Sequence, residues 1–262
     1  MQADEIHIRM KNILSDSAST GNTRGRSSVE AGRRGDREPS ASLTQQVYER
    51  IRADLLACRL APGEMLNIAD LAKQLPASLG AVREALSRLT SEGLVEMEPK
   101  RGFRVSPLST EDLHDLTALR MEIEMLCLRH AIEKGDLAWE SALVGAYHTL
   151  SRVELRNPQD PVALNAEWIG AHHDFHEALV AACDSPWLLR VRRMLYAQSE
   201  RYRQLSLPLG QTPRDLDDEH QQIMKAALDR NIPEAMAAIT RHLTTTMTVL
   251  LEATERQSGQ KQ

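Results

Sequence analysis

The sequence contains little cysteine and no long apolar run. Its 262 residues include three cysteines, Cys58, Cys127 and Cys183, at no regular spacing, which argues against the disulfide framework of a small secreted protein. No segment approaches the roughly 18 apolar residues of a membrane span, and the first 30 residues lack the apolar core of a secretion signal. We therefore expect a protein of the reducing cytoplasm that has no membrane partner.

The sequence also lacks an excess of positive charge, which is the usual property of a chain that binds nucleic acid. Its formal net charge is −5. The distribution of charge changes that conclusion, because residues 41–108 carry nine Lys and Arg against eight Asp and Glu, whereas residues 109–262 carry 16 against 23. The acidic excess belongs to the C-terminal part, so the N-terminal part remains a candidate for DNA binding.

Length and composition predict two domains between two tails. A chain of 262 residues, of which 42% are hydrophobic, is long enough for one large domain or two modest ones. Residues 1–40 are rich in Ser, Gly and Arg and lack apolar periodicity, so we expect a disordered tail whose arginines are solvated or touch DNA phosphates. The predicted divisions are this tail, a DNA-binding domain over 41–108, a helical domain over 109–255 and a second disordered tail over 256–262.

Residues 41–108 show the pattern of a winged helix-turn-helix. Apolar residues at helical spacing predict a first helix over 43–58. Asn67 and Ser78 are the predicted N-caps of a second and a third helix, and Gly93 is the predicted end of the third. Two β-type runs joined by a basic turn follow, and they are Leu94–Met97 and Phe103–Val105.

The beginning of the third helix and the tip of the hairpin are the predicted DNA contacts. In this fold the third helix lies in the major groove, where an arginine can donate two hydrogen bonds to guanine. Cations at the hairpin tip approach phosphates or the minor groove, and a glycine there allows close contact. The predicted contacts are Ser78, Gly80, Arg83, Lys100, Arg101 and Gly102. The alternative is that Arg83 pairs with Glu84 or Glu64 and only supports the fold.

These residues resemble the DNA-binding domain of the GntR family of transcription factors. Two positions depart from the family pattern, since Leu79 and Ala69 stand where many members have arginine. The resemblance therefore implies that base readout relies on Arg83 and the hairpin, with an operator of its own. The likeness is ungapped and rests on Leu60-Ala61-Pro62-Gly63-Glu64, Val82-Arg83-Glu84-Ala85-Leu86, Glu92-Gly93-Leu94-Val95 and Arg101-Gly102-Phe103-Arg104-Val105.

Residues 109–255 are predicted to form an all-α bundle of six to seven helices, which makes the whole chain mainly α. The sequence from Ser109 to Asp112 is similar to a capping box at the start of a helix. No strand pattern is recognised in this part. The predicted helices span 110–134, 137–155, 161–183, 186–206, 212–229 and 233–254.

Histidines are concentrated in the helical part, where eight of the nine lie after residue 108. His172 and His176 are four residues apart and therefore share one helix face. His220 and His242 lie within predicted helices among apolar residues. Four imidazoles that face one bundle interior would bind a divalent metal such as Zn, Ni, Cu or Fe. The alternative is a set of buried histidines that are hydrogen-bonded to water or to a carboxylate ligand without an ion.

The histidine motifs resemble the FCD ligand-binding domain of the FadR-type branch of GntR regulators. The resemblance implies a site of one Asp and three His, but His172 stands at the Asp position, so a four-histidine site is implied, with Zn favoured and Ni, Mn or Fe as alternatives. Cys183 and the run Arg201-Tyr202-Arg203 are also similar to the sub-branch that contains a glutarate-sensing repressor. The motifs are His172-His173-Asp174-Phe175-His176, Glu219-His220 and Arg241-His242-Leu243.

A metal ion with open positions attracts carboxylate oxygens, and an arginine adds a bidentate clamp. Arg120 is the first candidate for that clamp, because it interrupts an otherwise apolar helix face. Arg201 and Arg203 are weaker candidates that could equally form surface ion pairs. We therefore predict a homodimeric transcription regulator, a repressor that binds double-stranded operator DNA. A dicarboxylate or similar small organic acid would release it from the operator.

Two other functions are weighed against this prediction. A dimeric DNA-binding protein that ignores ligands would share the same fold. A metal-dependent hydrolase would need a general base beside the metal, but Asp174 lies off the predicted metal face, and Glu219 is the one acidic neighbour of His220 that the sequence offers. We therefore expect that the protein is not an enzyme.

Overall fold

The computed structural model describes residues 43–206 and 214–259, which are mainly helical as the sequence predicts. These residues belong to two compact units whose border in the sequence lies between Pro107 and Leu108. The predicted tail over 1–40 lies outside the described residues. No helix in the described part of the chain is long and apolar enough to cross a membrane.

The described residues of the first unit form three helices and a small antiparallel sheet of strand order β1-β3-β2. The structure contains the predicted hairpin, in which Met97 pairs with Phe103. Strand β1 adds a third strand that is too short to recognise in the sequence. The elements are α1 (Leu43–Leu56), β1 (Met65–Leu66), α2 (Ile68–Gln74), α3 (Leu79–Ser91), β2 (Val95–Glu98) and β3 (Gly102–Val105).

The predicted caps position α2 and α3. The side chain of Asn67 accepts hydrogen bonds from the backbone N–H groups at the start of α2. Ser78 Oγ accepts from the Ala81 backbone N–H at 3.1 Å and starts α3. Gly93 has φ 72° and turns the chain from α3 into β2. The first helix ends at Leu56, two residues before the predicted boundary.

Apolar side chains of all these elements form one core. Val82, Leu86 and Leu89 of α3 have no exposed surface, and they pack in the same cluster as Ile51 of α1 and Val105 of β3. Burial of an aliphatic side chain contributes about 1.5–3 kcal/mol. The core therefore fixes α3 against the sheet and leaves its opposite face in solvent.

The second unit contains six helices in its described residues, together with a β-hairpin. Ser109 Oγ accepts from the Asp112 backbone N–H at 3.1 Å, as the capping box predicts. The elements are α4 (Thr110–Lys134), α5 (Leu137–Ser151), β4 (Arg156–Asn157), β5 (Asp160–Leu164), α6 (Ala166–Val180), α7 (Pro186–Ser206), α8 (Leu216–Leu228) and α9 (Ile232–Gly259).

The β4–β5 hairpin corrects the sequence expectation of helix and no strand in this part. Asn157 Oδ1 accepts from the Gln159 backbone N–H at 2.9 Å and makes a tight turn. Asn165 then caps α6, because its side chain accepts from the Glu167 backbone N–H at 3.0 Å. As a result α6 begins at Ala166 rather than at residue 161, and α5 ends at Ser151 rather than at 155.

The last helix is also longer than predicted. It continues to Gly259 and therefore enters the 256–262 range that the sequence analysis assigns to a disordered tail. No proline or glycine precedes Gly259 in this stretch to end the helix. Residues 260–262 lie outside the described part.

The core of the second unit surrounds α6. Phe175 and Leu179 of α6 are fully buried and share a cluster with Leu128, Leu143 and Ile223 of three other helices. The same face of α6 carries polar side chains into the interior, because positions three and four residues apart lie one above the other. This placement of α6 brings its histidines to the centre of the bundle.

Candidate metal centre and nucleic-acid interface

Four histidines from three helices meet inside the second unit. His172 and His176 come from α6, His220 from α8 and His242 from α9, and all four are buried. One ring nitrogen from each lies within 4.8 Å of the others. The structure thus brings together the four residues that the sequence predicts as metal ligands, which we call the histidine cluster.

The chemistry of the histidine cluster suits metal ligation. Burial lowers the pKa of His172, His176 and His220 well below the ordinary histidine value, and burial also lowers the pKa of His242. Neutral imidazoles follow, and a neutral imidazole offers the lone pair that a metal ion needs. Repulsion between four imidazolium ions at this distance would oppose protonation further.

Two ring nitrogens of the cluster have no hydrogen-bond partner in the described structure. They are Nδ1 of His176 and Nε2 of His220, and both are buried. A buried polar atom without a partner is rare in folded proteins, and an unprotonated imidazole nitrogen in that position can bind a metal ion. A set of nitrogen donors matches Zn, Ni, Cu or Fe and not the oxygen-loving Mg or Ca. The residues present therefore fit a borderline divalent metal.

A carboxylate orients one member of the cluster. Glu219 Oε2 accepts a hydrogen bond from Nδ1 of His242 at 2.8 Å, which directs Nε2 of that ring toward the other histidines. Arg214 binds both carboxylate oxygens of Glu219 at 2.6 Å. Burial alone would raise the pKa of Glu219, but hydrogen bonds from Arg214 and His242 lower it to about 2. In the sequence Glu219 is a candidate only as a base, and no local pattern indicates this orienting contact.

A small cavity of about 30 Å³ adjoins the histidine cluster and opens to solvent. His172 and His242 form part of its wall, so a ligand there can reach the cluster. The other polar lining residues are Thr117, Arg120, Tyr196, Ser199, Glu200, Arg203 and Thr246, and the apolar ones are Leu113, Leu243, Met247 and Leu250.

Two of the three predicted effector-binding arginines line this cavity. Arg120 lies over the ring of Tyr196, and its Nε and Nη2 atoms are 3.4 Å from Glu124 Oε1. Arg203 contacts the histidine cluster directly, and its Nη1 atom is 2.8 Å from Nδ1 of His172. Arg201 is buried but is not among the residues that line the cavity.

A buried arginine supports the cluster from the side of α7. Arg192 has no exposed surface and donates from Nε to Glu124 Oε2 at 2.7 Å. It also bonds the backbone oxygen of His176 at 2.6 Å and forms an ion pair with Glu177. These contacts tie α4, α6 and α7 together. No local sequence pattern indicates these contacts, because the partners lie up to 68 residues apart.

The predicted DNA contacts lie on one helix and at one hairpin tip. Ser78, Gly80 and Arg83 are exposed at the start of α3, and Lys100 and Arg101 are exposed between β2 and β3, with Gly102 half-buried beside them. Lys100 and Gly102 have φ 67° and 102°, so the chain turns sharply at the tip.

Arg83 is exposed on α3. Among the described residues it forms no ion pair, and Glu64 accepts instead from the Ala61 backbone N–H at 2.9 Å. The alternative in which Arg83 only supports the fold therefore lacks a contact in the structure.

Comparison with known families identifies both units. Residues 43–105 match the family of bacterial regulatory proteins called gntR, and residues 115–245 match the FCD domain. The chain belongs to the GntR family. The predicted resemblance is thereby confirmed, and this GntR regulator is a DNA-binding transcription regulator and not an enzyme.

Two curated relatives show how close this GntR regulator is to known proteins. It is 39% identical over 209 residues to the HTH-type transcriptional regulator BphR of Paraburkholderia xenovorans (strain LB400), over 80% of this chain and 85% of the relative. It is 30% identical over 210 residues to the HTH-type transcriptional repressor GlaR of Escherichia coli (strain K12), over 79% and 94%. The second of these relatives is named as a repressor.

The fold of this GntR regulator also occurs in a solved structure. Escherichia coli McbR/YncC superposes with a TM-score of 0.68 at 21% identity, over 81% of this chain and 99% of that one. GntR regulators bind operator DNA and small-molecule effectors and usually form dimers.

Proposed function

We propose that the protein is a homodimeric repressor that leaves its operator when a small dicarboxylate binds beside a metal ion in the FCD domain. The observation that supports this proposal most strongly is the histidine cluster, which opens on a cavity lined by Arg120 and Arg203. Neutral nitrogen donors and fixed cations at one cavity suit a metal-bound anion.

The metal in this proposal is Zn, with Ni, Mn and Fe as alternatives. Its ligands would come from His172, His176, His220 and His242, whose nitrogens lie within 4.8 Å of one another. When bound, the ion supplies a positive charge that attracts carboxylate oxygen. Glu219 contributes by holding the imidazole of His242 in one tautomer.

The effector in this proposal is a small dicarboxylate or similar organic acid. Arg120 is the better placed clamp, because its 3.4 Å contacts with Glu124 are long and Glu124 makes a shorter contact, 2.7 Å, with Arg192. Arg203 already has a carboxylate partner in Glu200. Arg201 does not line the cavity, so we omit it from the effector site.

For DNA, we propose that two copies place their α3 helices in major grooves about one helical turn apart. Arg83 reads a base edge, while Lys100 and Arg101 neutralise phosphates. Leu79 is 56% exposed at the start of α3, and an apolar side chain there can contact a thymine methyl group.

For dimerisation, we propose that a second copy covers exposed apolar residues of α4 and α7, two helices that are joined by the Glu124–Arg192 ion pair. Leu119 and Leu126 are exposed on α4, seven residues apart, and Trp187 and Met194 are exposed on α7 at the same spacing. Exposed charges of opposite sign lie between these residues in the sequence, Glu122 on α4 and Arg190 on α7. We call these six residues the α4–α7 stripe.

The test of this function measures operator affinity of the zinc-loaded protein with and without the five-carbon dicarboxylate glutarate. We expect glutarate to weaken DNA binding by about tenfold, within the range usual for coupled sites. The control is the His176→Ala, His220→Ala double variant, which should bind DNA and show no response. If no dicarboxylate changes operator affinity, the protein is the ligand-indifferent DNA-binding dimer.

A further inference from the structure

Of the arginine contacts with the rings of the histidine cluster, the one on His172 is the shortest, since Arg214 Nη2 lies 3.3 Å from Nδ1 of His242, a nitrogen that Glu219 already accepts from. Arg203 Nη1 lies 2.8 Å from Nδ1 and 3.1 Å from Nε2 of His172. Both side chains are buried. The Tyr196 hydroxyl, 3.3 Å from Nδ1, is the other contact of this nitrogen among the described residues.

This contact conflicts with metal ligation by His172. A guanidinium group has donors only and a permanent positive charge, so Arg203 can bond His172 only through the lone pair of an unprotonated ring nitrogen. A neutral imidazole has one such lone pair, and a metal ion requires the same one. Two cations within about 3 Å of one ring in a buried site also repel each other strongly.

We infer that Arg203 and the metal ion compete for His172. While Arg203 contacts His172, the metal is held by His176, His220 and His242, and the fourth ligand, His172, is blocked. The inference rests on the proposed metal-bound function and adds a specific role for Arg203.

The cavity provides a way to relieve the competition. Arg203 lines it together with Arg120, so a carboxylate that enters offers Arg203 a new bidentate acceptor. Once Arg203 turns toward that anion, the lone pair of His172 is free for the metal. Effector and metal then strengthen each other's binding by equal factors.

The test measures Zn²⁺ affinity by competition with a chromophoric chelator in the absence of any carboxylate. Arg203 is paired with Glu200, so Arg203→Gln and Glu200→Gln are introduced together, which leaves no unpaired carboxylate to attract the ion and keeps the net charge constant. The same pair is also made in a His172→Ala background. Arg193→Gln, an exposed position on α7, serves as the control, and the melting temperature of each metal-free variant is compared.

The inference predicts that the neutral pair binds Zn²⁺ about fivefold or more tightly than the wild type, although it lacks a side chain of the site. This gain should disappear when His172 is replaced by Ala. Replacement of His172 alone should change zinc affinity little, because Arg203 already withholds this ligand.

Two results would overturn the inference while leaving the metal centre intact. One is zinc affinity in the neutral pair that is equal to or weaker than that of the wild type. The other is a gain that persists without His172. Absence of zinc binding in every variant would overturn both the inference and the proposed metal centre.

Discussion

At the scale of single residues, the histidine cluster could be predicted in part and its surroundings could not. His172 and His176 are four residues apart, so their common face follows from helix geometry. The contacts of Arg192 with Glu124 and of His242 with Glu219 join residues 68 and 23 positions apart, and no local pattern encodes such pairs. The competition between Arg203 and a metal for His172 is equally a product of tertiary packing.

Glu219→Gln tests the orienting contact at this scale. An amide can still contact His242 but no longer carries the negative charge that favours Nδ1–H, so we expect zinc affinity to fall by about tenfold. The measurement is chelator competition at neutral pH. Asp217→Asn, an exposed position on the same helix, is the matched control, and equal zinc affinities in the two variants would contradict the orienting role.

At the scale of elements, the sequence predicts helices better than it predicts their boundaries. The caps at Asn67, Ser78 and Ser109 are visible because one side chain satisfies backbone N–H groups two or three residues away. Residues 161–164, which belong to β5, were wrongly predicted as the beginning of α6. Val162 and Leu164 extend the apolar pattern of α6. In the sequence, only the turn residue Asn157 distinguishes a hairpin from a longer helix.

Arg83→Ala tests the role of α3 as the recognition element. Loss of a bidentate base contact costs about 1–3 kcal/mol, so operator affinity should fall by roughly ten- to a hundredfold while binding to unrelated DNA changes little. Fluorescence anisotropy with both DNAs measures this ratio. Lys100→Ala should weaken both complexes alike, and the same uniform loss in the Arg83 variant would show that Arg83 contacts only phosphate.

At the scale of the whole molecule, the two units carry different net charges, which the net charge of the whole chain does not show. The net charge of −5 suggests a poor DNA-binding protein, yet the exposed cations Arg83, Lys100 and Arg101 lie on the first unit. The mainly helical fold and its division into two units were predictable from periodicity and charge. The proposed surface between two copies was not.

Leu119→Lys tests the α4–α7 stripe as the dimer surface. A buried lysine in a symmetric contact should weaken the dimer by at least about tenfold, since interface anchors commonly contribute more than 1 kcal/mol. Light scattering over a range of concentrations gives the dissociation constant. Leu137→Lys is the control, because Leu137 is 76% exposed on α5 and lies outside the stripe. Equal effects of both variants would argue for another surface, and a monomeric wild type would contradict the proposed homodimer.

The four residues of the histidine cluster are spread from position 172 to position 242 and come from three helices. A metal ion held there would be a removable cross-link between distant parts of a chain whose described cysteines are all free. By mass action, an ion at a hundred times its Kd adds about 2.7 kcal/mol to the unfolding free energy. Metal supply would then set how long each copy of the regulator survives proteolysis, and so how many copies are present to bind DNA.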